Sequence, residues 1–349
     1  MKKKQKYTLI DLFSGVGGFH IGFLESGKFE LKLSVDNSKD CTNFHNKNFP
    51  EIPYAEMDVS KINKKFYAEM GINEVDVLIG GPPCQGFSTI GNRVSSDENK
   101  RGIYDKRNDL ILHFVDQINI LQPKIFVMEN VRGLLTYQKG DFFENIHRIM
   151  KKKLKNYTFD FKLLNVVEYG VPQNRERTFV LGNRLGLPNE FPKSDHSEKD
   201  ESKLKYKTVL DAFSGLYDSK KEFKNHTALN HGPINIERYK LIPEGGRLPE
   251  STLPKHLYRK NFGNTFKRLH RNKPSLTMVP GHNAFPLHPW LNRSLTVREA
   301  ARIQTFPDYI EFTGNRQVQC IQVGNAVPPL MGTKWALHIS KLLDKNEKK

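Results

Sequence analysis

Four side chains, at three places in the chain, are of types that could carry covalent chemistry together. Cys84 follows an apolar run, Val75 to Ile79, by way of Gly80-Gly81-Pro82-Pro83. The run reads as a short buried strand, and the two prolines stiffen the backbone just before the thiol. A cysteine presented in this way is a candidate nucleophile, although most lone cysteines are small hydrophobes chosen for packing. Glu129 ends a second apolar run, Lys124 to Met128, and continues into Asn130 and Val131. Arg175 and Arg177 stand two positions apart in Gln173-Asn174-Arg175-Glu176-Arg177, so on an extended chain they project to the same side. Guanidinium forks on one face suit a base oxygen or a phosphate.

These residues need a scaffold, and the apolar runs outline one. Tyr7 to Phe13 reads as a first buried strand. Ser14-Gly15-Val16-Gly17-Gly18-Phe19 follows it and opens a helix from Phe19 to Ser26, closed by Gly27. The turn lacks the dinucleotide spacing, because His20 stands where a third glycine is required. Leu31 to Val35 is a second strand and ends in Asp36-Asn37. Asp36 suits either the hydroxyls of a ribose or the N-cap of the next helix. Tyr54 to Met57 is a third strand, ending at Asp58. Five successive runs therefore end at, or just beside, Asp11, Asp36, Asp58, Cys84 and Glu129, with helical stretches such as Leu110 to Leu121 between several of them. That alternation predicts an α/β fold with a doubly wound, mostly parallel sheet, whose ligands bind outside the carboxyl ends of its strands.

Two more strands, Phe159 to Asn165 and Thr178 to Gly182, bracket the paired arginines. The polar stretch from Ser88 to Lys106 reads as a loop that closes over substrate. After Asn183 the chain turns rich in Pro, Asn, Lys and Gly, which predicts a second, smaller unit. Within it, Lys255 to Lys273 carries seven Lys and Arg and no acid, interleaved with Tyr258, Phe262 and Phe266, a composition suited to tracking phosphates. His226, His231, His282 and His288 have no cysteine at ligand spacing, so no zinc site is expected. Thr296 to Gln304 reads as an N-capped helix, Val323 to Pro329 as a glycine-proline turn, and Leu330 to Leu343 as a last helix.

The net charge of +17 favours a polyanionic partner, nucleic acid before membrane, since no basic amphipathic membrane helix or lipidation signal is evident. Three cysteines far apart, Cys41, Cys84 and Cys320, point away from a disulfide framework and toward a reducing cytosol. No apolar span reaches the roughly 18 residues of a membrane helix.

Taken in order, these motifs resemble the DNA (cytosine-5)-methyltransferases of bacterial restriction-modification type, over nearly the whole chain. Asp11 to Phe19 resembles the family's cofactor turn, Pro82-Pro83-Cys84-Gln85 its nucleophile motif, and Glu129-Asn130-Val131 its substrate-base motif. Gln173 to Arg177 resembles its paired-arginine motif, Arg298 to Pro307 the element that shapes its recognition domain, and Gly324-Asn325-Ala326-Val327 its final motif. The resemblance implies a Rossmann-like class I methyltransferase domain over residues 1–184. A small irregular target-recognition domain over 185–314 and a C-terminal segment, 315–349, returning to the catalytic domain complete the expected organisation. S-adenosylmethionine is the implied methyl donor and S-adenosylhomocysteine the product, with no metal.

By the same resemblance, Cys84 adds to carbon 6 of a flipped-out cytosine, Glu129 meets N3 and the exocyclic amine, Arg177 holds O2, and Arg175 sits near the nucleophile and backbone. The cofactor pocket would be lined by Phe13, Ser14, Gly15, Gly17, Gly18, Phe19, Asp36, Asn37, Asp58, Val59, Pro83, Leu110, Asn325 and Val327. Gln85, Ser88, Arg93, Arg107, Arg259, Lys260, Lys267, Arg268 and Arg271 would contact double-stranded DNA. A monomer in the bacterial cytosol is expected, paired in function but not in contact with a restriction endonuclease. The alternatives are a tRNA cytosine-5 methyltransferase and a catalytically silent DNA-binding relative. A smaller recognition segment would mark the first, and loss of one of Cys84, Glu129, Arg175 or Arg177 the second.

Overall fold

The computed structural model describes residues 6–83, 109–136, 140–218, 220–258, 264–279 and 284–347. Its centre is a seven-stranded sheet built from β1 (Tyr7–Leu12), β2 (Phe29–Asp36), β3 (Tyr54–Glu56), β4 (Val77–Gly80), β5 (Ile125–Val131), β6 (Thr158–Asn165) and β7 (Glu176–Asn183). The strand order is β3-β2-β1-β4-β5-β7-β6. The first five strands run parallel, while β7 is antiparallel to both β5 and β6. The chain winds outward from β1 to β3 and then crosses back to β4, so β1 and β4 flank a topological switch point.

The helices are α1 (Gly18–Glu25), α2 (Lys39–Asn48), α3 (Lys64–Glu69), α4 (Asp109–Leu121), α5 (Gly133–Thr136), α6 (Asp141–Lys153), α7 (Val209–Ala212), α8 (Pro233–Lys240), α9 (Val297–Ile303), α10 (Arg316–Asn325) and α11 (Pro329–Asn346). Alternation along the strands feeds two cores. Ile10, Leu33, Leu78 and Phe126 pack with Ile111, Phe114 and Ile118 of α4. Leu9, Leu31, Val77 and Ile125 face the opposite way, onto Phe19 and Phe23 of α1 and Trp335 and Ile339 of α11. Burial on both faces is why these strands read as unbroken apolar runs.

The chain's last long helix docks on its first. A Cβ at Gly22 would lie 2.0 Å from the Pro329 carbonyl oxygen, so only glycine lets the α1 and α11 backbones come this close. Tyr7 donates to Asp344 at 2.7 Å and ties the far end of α11 to β1.

Residues 185–314 hold few regular elements, and their largest core is shared. Val209, Phe213, Leu269, Met278, Phe285 and Leu295 pack with α9 and α10 and also with Val16, Ile21 and Phe44 from the sheet half. A smaller cluster of Tyr239, Ile242, Leu248, Phe266 and Leu287 stands apart. The expected turn at Val323 to Pro329 begins later than predicted, because Val323–Asn325 form the last turn of α10. Gly324 suggested a break, but Asn315 caps the helix by accepting from the Val318 amide, and the glycine falls where the helix is ending anyway.

Candidate active site

The carboxyl edge of the sheet gathers most of the described candidates. Because β7 runs antiparallel to β5, its first residues lie at the end of β5, with Val131 opposite Arg177 and Glu129 opposite Phe179. Strand reversal thus brings the arginine motif to the glutamate. The Arg177 Nε donates to Glu129 Oε1 at 3.0 Å, with both side chains mostly buried. Burial lowers the Arg177 pKa, and the Glu129 charge opposes that shift.

Glu129 also faces the segment that leads to the thiol. A Cβ at Gly81 would lie 3.5 Å from Glu129 Oε2. The neighbouring Asn130 is buried, and its Nδ2 donates to the Pro82 carbonyl at 3.1 Å while its Oδ1 accepts from the Val131 amide at 2.8 Å. The strand end that carries Glu129 therefore holds the Pro-Pro segment directly. Cys84, Gln85, Ser88, Arg93 and Arg107 lie outside the described residues. The two described cysteines are poor nucleophiles. Burial pushes the Cys41 thiol up to about 12 and raises that of Cys320 as well.

Arg175, expected near the nucleophile and the backbone, ends on main-chain carbonyls, while Cys84 lies outside the described residues. Its guanidinium is buried, with one terminal nitrogen donating to the Gly324 carbonyl at 2.9 Å and the other to the Asn325 carbonyl at 3.4 Å. Nε has no partner. Burial, reinforced by the nearby Arg177 charge, pushes its pKa well down. The side chain is spent on the carboxyl end of α10, two positions from the arginine that faces Glu129. Asn165 fixes the Arg175 backbone by accepting from its amide at 3.0 Å. The sequence reading passed over Asn165, whose only signal is its place as the N-cap of the turn after β6.

Across the switch point, the loop after β1 bends sharply, with φ +54° at Phe13, +54° at Gly15 and +72° at Gly17. A left-handed phenylalanine is strained, and such strain clusters at ligand sites. Ser14 donates from its amide and its hydroxyl to the Val35 carbonyl. Asp36, ending β2, accepts from the Gly15 amide at 2.9 Å and the Ser38 amide at 3.0 Å. Burial raises its pKa against those two bonds. The helix-capping reading of Asp36 is corrected: the N-cap of α2 is Ser38, and Asp36 instead ties the Ser38 amide to the Gly15 amide of the loop.

Asp58 follows β3 and accepts from the Ser60 amide, which lowers its pKa; Val59 beside it is buried. A Cβ at Gly18 would lie 2.1 Å from the Val327 carbonyl, so the last motif touches the first. Asn37 and Asn325 are exposed, and Pro83 and Leu110 are half-buried, Leu110 in the first turn of α4. Phe19 is a correction: its ring is buried between those of Phe23 and Phe179, 5.5 and 6.2 Å away, and belongs to the core.

The arginine motif is also stitched to residues 275–278. The Asn174 amide donates to the Ser275 carbonyl, the Ser275 amide donates to the Pro172 carbonyl, and Gln173 Oε1 accepts from the Met278 amide. Gln173 Nε2 donates to Gln304 Oε1 at 2.9 Å, and Gln304 Nε2 donates in turn to the Val323 carbonyl at 2.8 Å. Buried amides joining three distant segments fix their relative position.

Among the expected DNA contacts, Arg259 and Lys260 lie outside the described residues, and Lys267 is half-buried. Arg268 is a correction. It is buried, and its nitrogens donate to the carbonyls of Ile242, His288, Leu291 and Tyr239 and to Asn292. Arg271 is forked onto Glu244 and stacked 4.9 Å over the Trp290 ring. His226, His231 and His288 bond Thr296, Ser294 and Tyr217 respectively; His282 lies outside the described residues.

The model of the C-5 cytosine-specific DNA methylase family matches residues 7–341. The chain is 37% identical over 347 residues to the type II methyltransferase M1.HphI of Haemophilus parahaemolyticus, covering 96% of this chain and 87% of that protein. It is 33% identical over 350 residues to M.NgoFVII of Neisseria gonorrhoeae, covering 99% and 89%. Among solved structures, a putative DNA modification methyltransferase encoded within an E. coli prophage superposes with a TM-score of 0.76 at 26% identity, over 97% of this chain and all of that one. The fold of S. pombe Dnmt2 is also similar, at a TM-score of 0.60 and 16% identity over 97% and 99% of the chains. With the sheet order, the glutamate–arginine pair and the Pro-Pro segment in place, the chain belongs to the C-5 cytosine-specific DNA methylase family.

Proposed function

We propose that this chain methylates carbon 5 of a cytosine within a specific short sequence of double-stranded DNA, and that its reacting groups are Cys84, Glu129 and Arg177. The observation that carries the residue assignment is the Arg177–Glu129 pair, 3.0 Å apart and beside Gly81 of the segment leading to Cys84. Carbon 5 of cytosine is too weak a nucleophile to be alkylated directly. A thiolate adding to carbon 6 forms a sulfur–carbon bond at the expense of the C5=C6 double bond, removes the ring's aromaticity and makes carbon 5 enamine-like. Glu129 meets the N3 side of the ring and limits the charge that builds there, while Arg177 holds O2 and orients the carboxyl group. Loss of the carbon 5 proton afterwards expels Cys84. The target base is flipped out of the duplex, at a cost of a few kcal/mol.

The residues around the switch point fit S-adenosylmethionine. A strained left-handed loop with open space over Gly15, a carboxylate ending β2 and Asp58 after β3 suit an adenosine with an amino-acid tail. Bound there, the cofactor supplies an electrophilic methyl group. Phe13, Ser14 and Gly15 would line one side of it and Asp36, Asn37, Asp58 and Val59 would hold the adenosine end, with Asn325 and Val327 closing over Gly18. Lys267 and the basic residues outside the described part would meet phosphates. The protein acts in the cytosol beside its DNA, as the modification half of a restriction-modification pair.

The test is methyl transfer from labelled S-adenosylmethionine to unmethylated plasmid DNA, followed by conversion sequencing. Protection of one cytosine in one short motif is expected. Transfer to tRNA and not to DNA would overturn the substrate assignment.

A further inference from the structure

The two pockets of the proposed reaction share one buried cation. Arg175 immediately precedes the strand that carries Arg177, and its guanidinium ends on the Gly324 and Asn325 carbonyls, the last turn of α10. Two residues further, the Val327 carbonyl lies against Gly18 of the cofactor loop. Among the described residues no carboxylate pairs with Arg175. Glu129 acts on its charge through space, and the guanidinium itself ends at the carboxyl end of a ten-residue helix, where main-chain carbonyls gather partial negative charge. A buried guanidinium with two terminal nitrogens on main-chain oxygens is not available to grip a base.

We infer that Arg175 is a positioning residue that couples the cofactor pocket to the base pocket, by bolting the segment carrying Asn325 and Val327 to the strand carrying Arg177. The inference rests on the function proposed above. Its consequence is thermodynamic: filling one pocket settles α10 and β7 together, so each ligand strengthens the other by the same factor.

The experiment measures, on the full chain, the affinity of S-adenosylhomocysteine with and without a DNA duplex carrying the target site, and of the duplex with and without S-adenosylhomocysteine. The wild type should show mutual strengthening of about tenfold, equal in both directions. In Arg175→Lys a single, shorter-reaching nitrogen replaces the planar fork whose two terminal nitrogens span Gly324 and Asn325. The factor should fall to about one, while duplex affinity without S-adenosylhomocysteine stays within about twofold. An unchanged factor in the variant, or none in the wild type, overturns the inference. So does a variant that loses duplex binding without the cofactor product, which would make Arg175 a DNA contact.

Should Arg175→Lys fail to fold, hydrogen exchange on the wild type decides. S-adenosylhomocysteine alone must slow exchange at residues 176–180 as well as 321–327, and no change at 176–180 overturns the coupling. A wild type that binds neither ligand contradicts the proposed function itself.

Discussion

Asn130→Ala separates the scaffold of the nucleophile from the nucleophile. Asn130 Nδ2 donates to the Pro82 carbonyl at 3.1 Å, and Pro82 is itself buried. Removing the amide leaves that carbonyl without its donor and the Val131 amide without the Oδ1 acceptor 2.8 Å away. An unmet buried polar group costs about 1–3 kcal/mol. The Pro-Pro segment can recover the loss only by shifting toward water, and a displacement of about 1 Å at the reacting atoms can cost about a hundredfold in rate. Single-turnover methylation should therefore slow by about 10- to 100-fold, equivalent to roughly 1.4–2.8 kcal/mol. The KM for DNA should stay within about threefold, because Arg177 and Glu129 are untouched. The assay is a rapid-quench time course at saturating DNA and cofactor, alongside a thermal melt. A rate within twofold of wild type would show that Asn130 does not set the position of the thiol.

Three further outcomes follow from the packing. Gly18→Ala would place a methyl group 2.1 Å from the Val327 carbonyl, so the start of α1 and the 326–328 segment must part. S-adenosylhomocysteine affinity should fall at least about tenfold, and isothermal titration that finds it unchanged would separate this contact from the cofactor pocket. Arg268→Met strips donors from four carbonyls and Asn292, so the melting temperature should drop, by about 3 kcal/mol of stability. The salt dependence of DNA binding should hardly change, whereas a slope lower by about one would return Arg268 to the DNA interface. Burial depresses the folded pKa of His45 and of His288 from 6.5 to about 4. The unfolded chain therefore takes up these protons first, and stability is full above about 6.5 and lost as pH falls toward 4. Each histidine contributes about 1.4 kcal/mol per pH unit in that window. In denaturant titrations His45→Gln should flatten the slope by about one proton; an unaltered slope would mean His45 is not buried neutral.

Much of the fold was legible because central strands buried on both faces print continuous apolar runs, as in Val77–Ile79 and Ile125–Met128. The ends of those runs, at Asp36, Asp58 and Glu129, were legible for the same reason: the chain turns polar where the sheet meets solvent or ligand. Composition misled where it counted charge without burial. Arg268 sits in a basic run yet serves main-chain carbonyls, and Phe19 sits in a glycine turn yet completes a core. Nothing in the residues around Arg175 announces its partners, because main-chain carbonyls carry no side-chain signature. Gly324 read as a turn because local signals for a helix end and a loop are alike, and the Asn315 cap nine residues earlier distinguishes them.

The covalent step is the centre of the account, and one measurement reaches it directly. The protein is incubated with S-adenosylmethionine and a duplex carrying 5-fluorocytosine at the target position, which blocks loss of the carbon 5 substituent and traps the adduct. Peptide mapping by mass spectrometry should find the modified nucleotide on Cys84, and none in Cys84→Ser. An adduct on Cys41 or Cys320, or methylation that proceeds in Cys84→Ser, would contradict it.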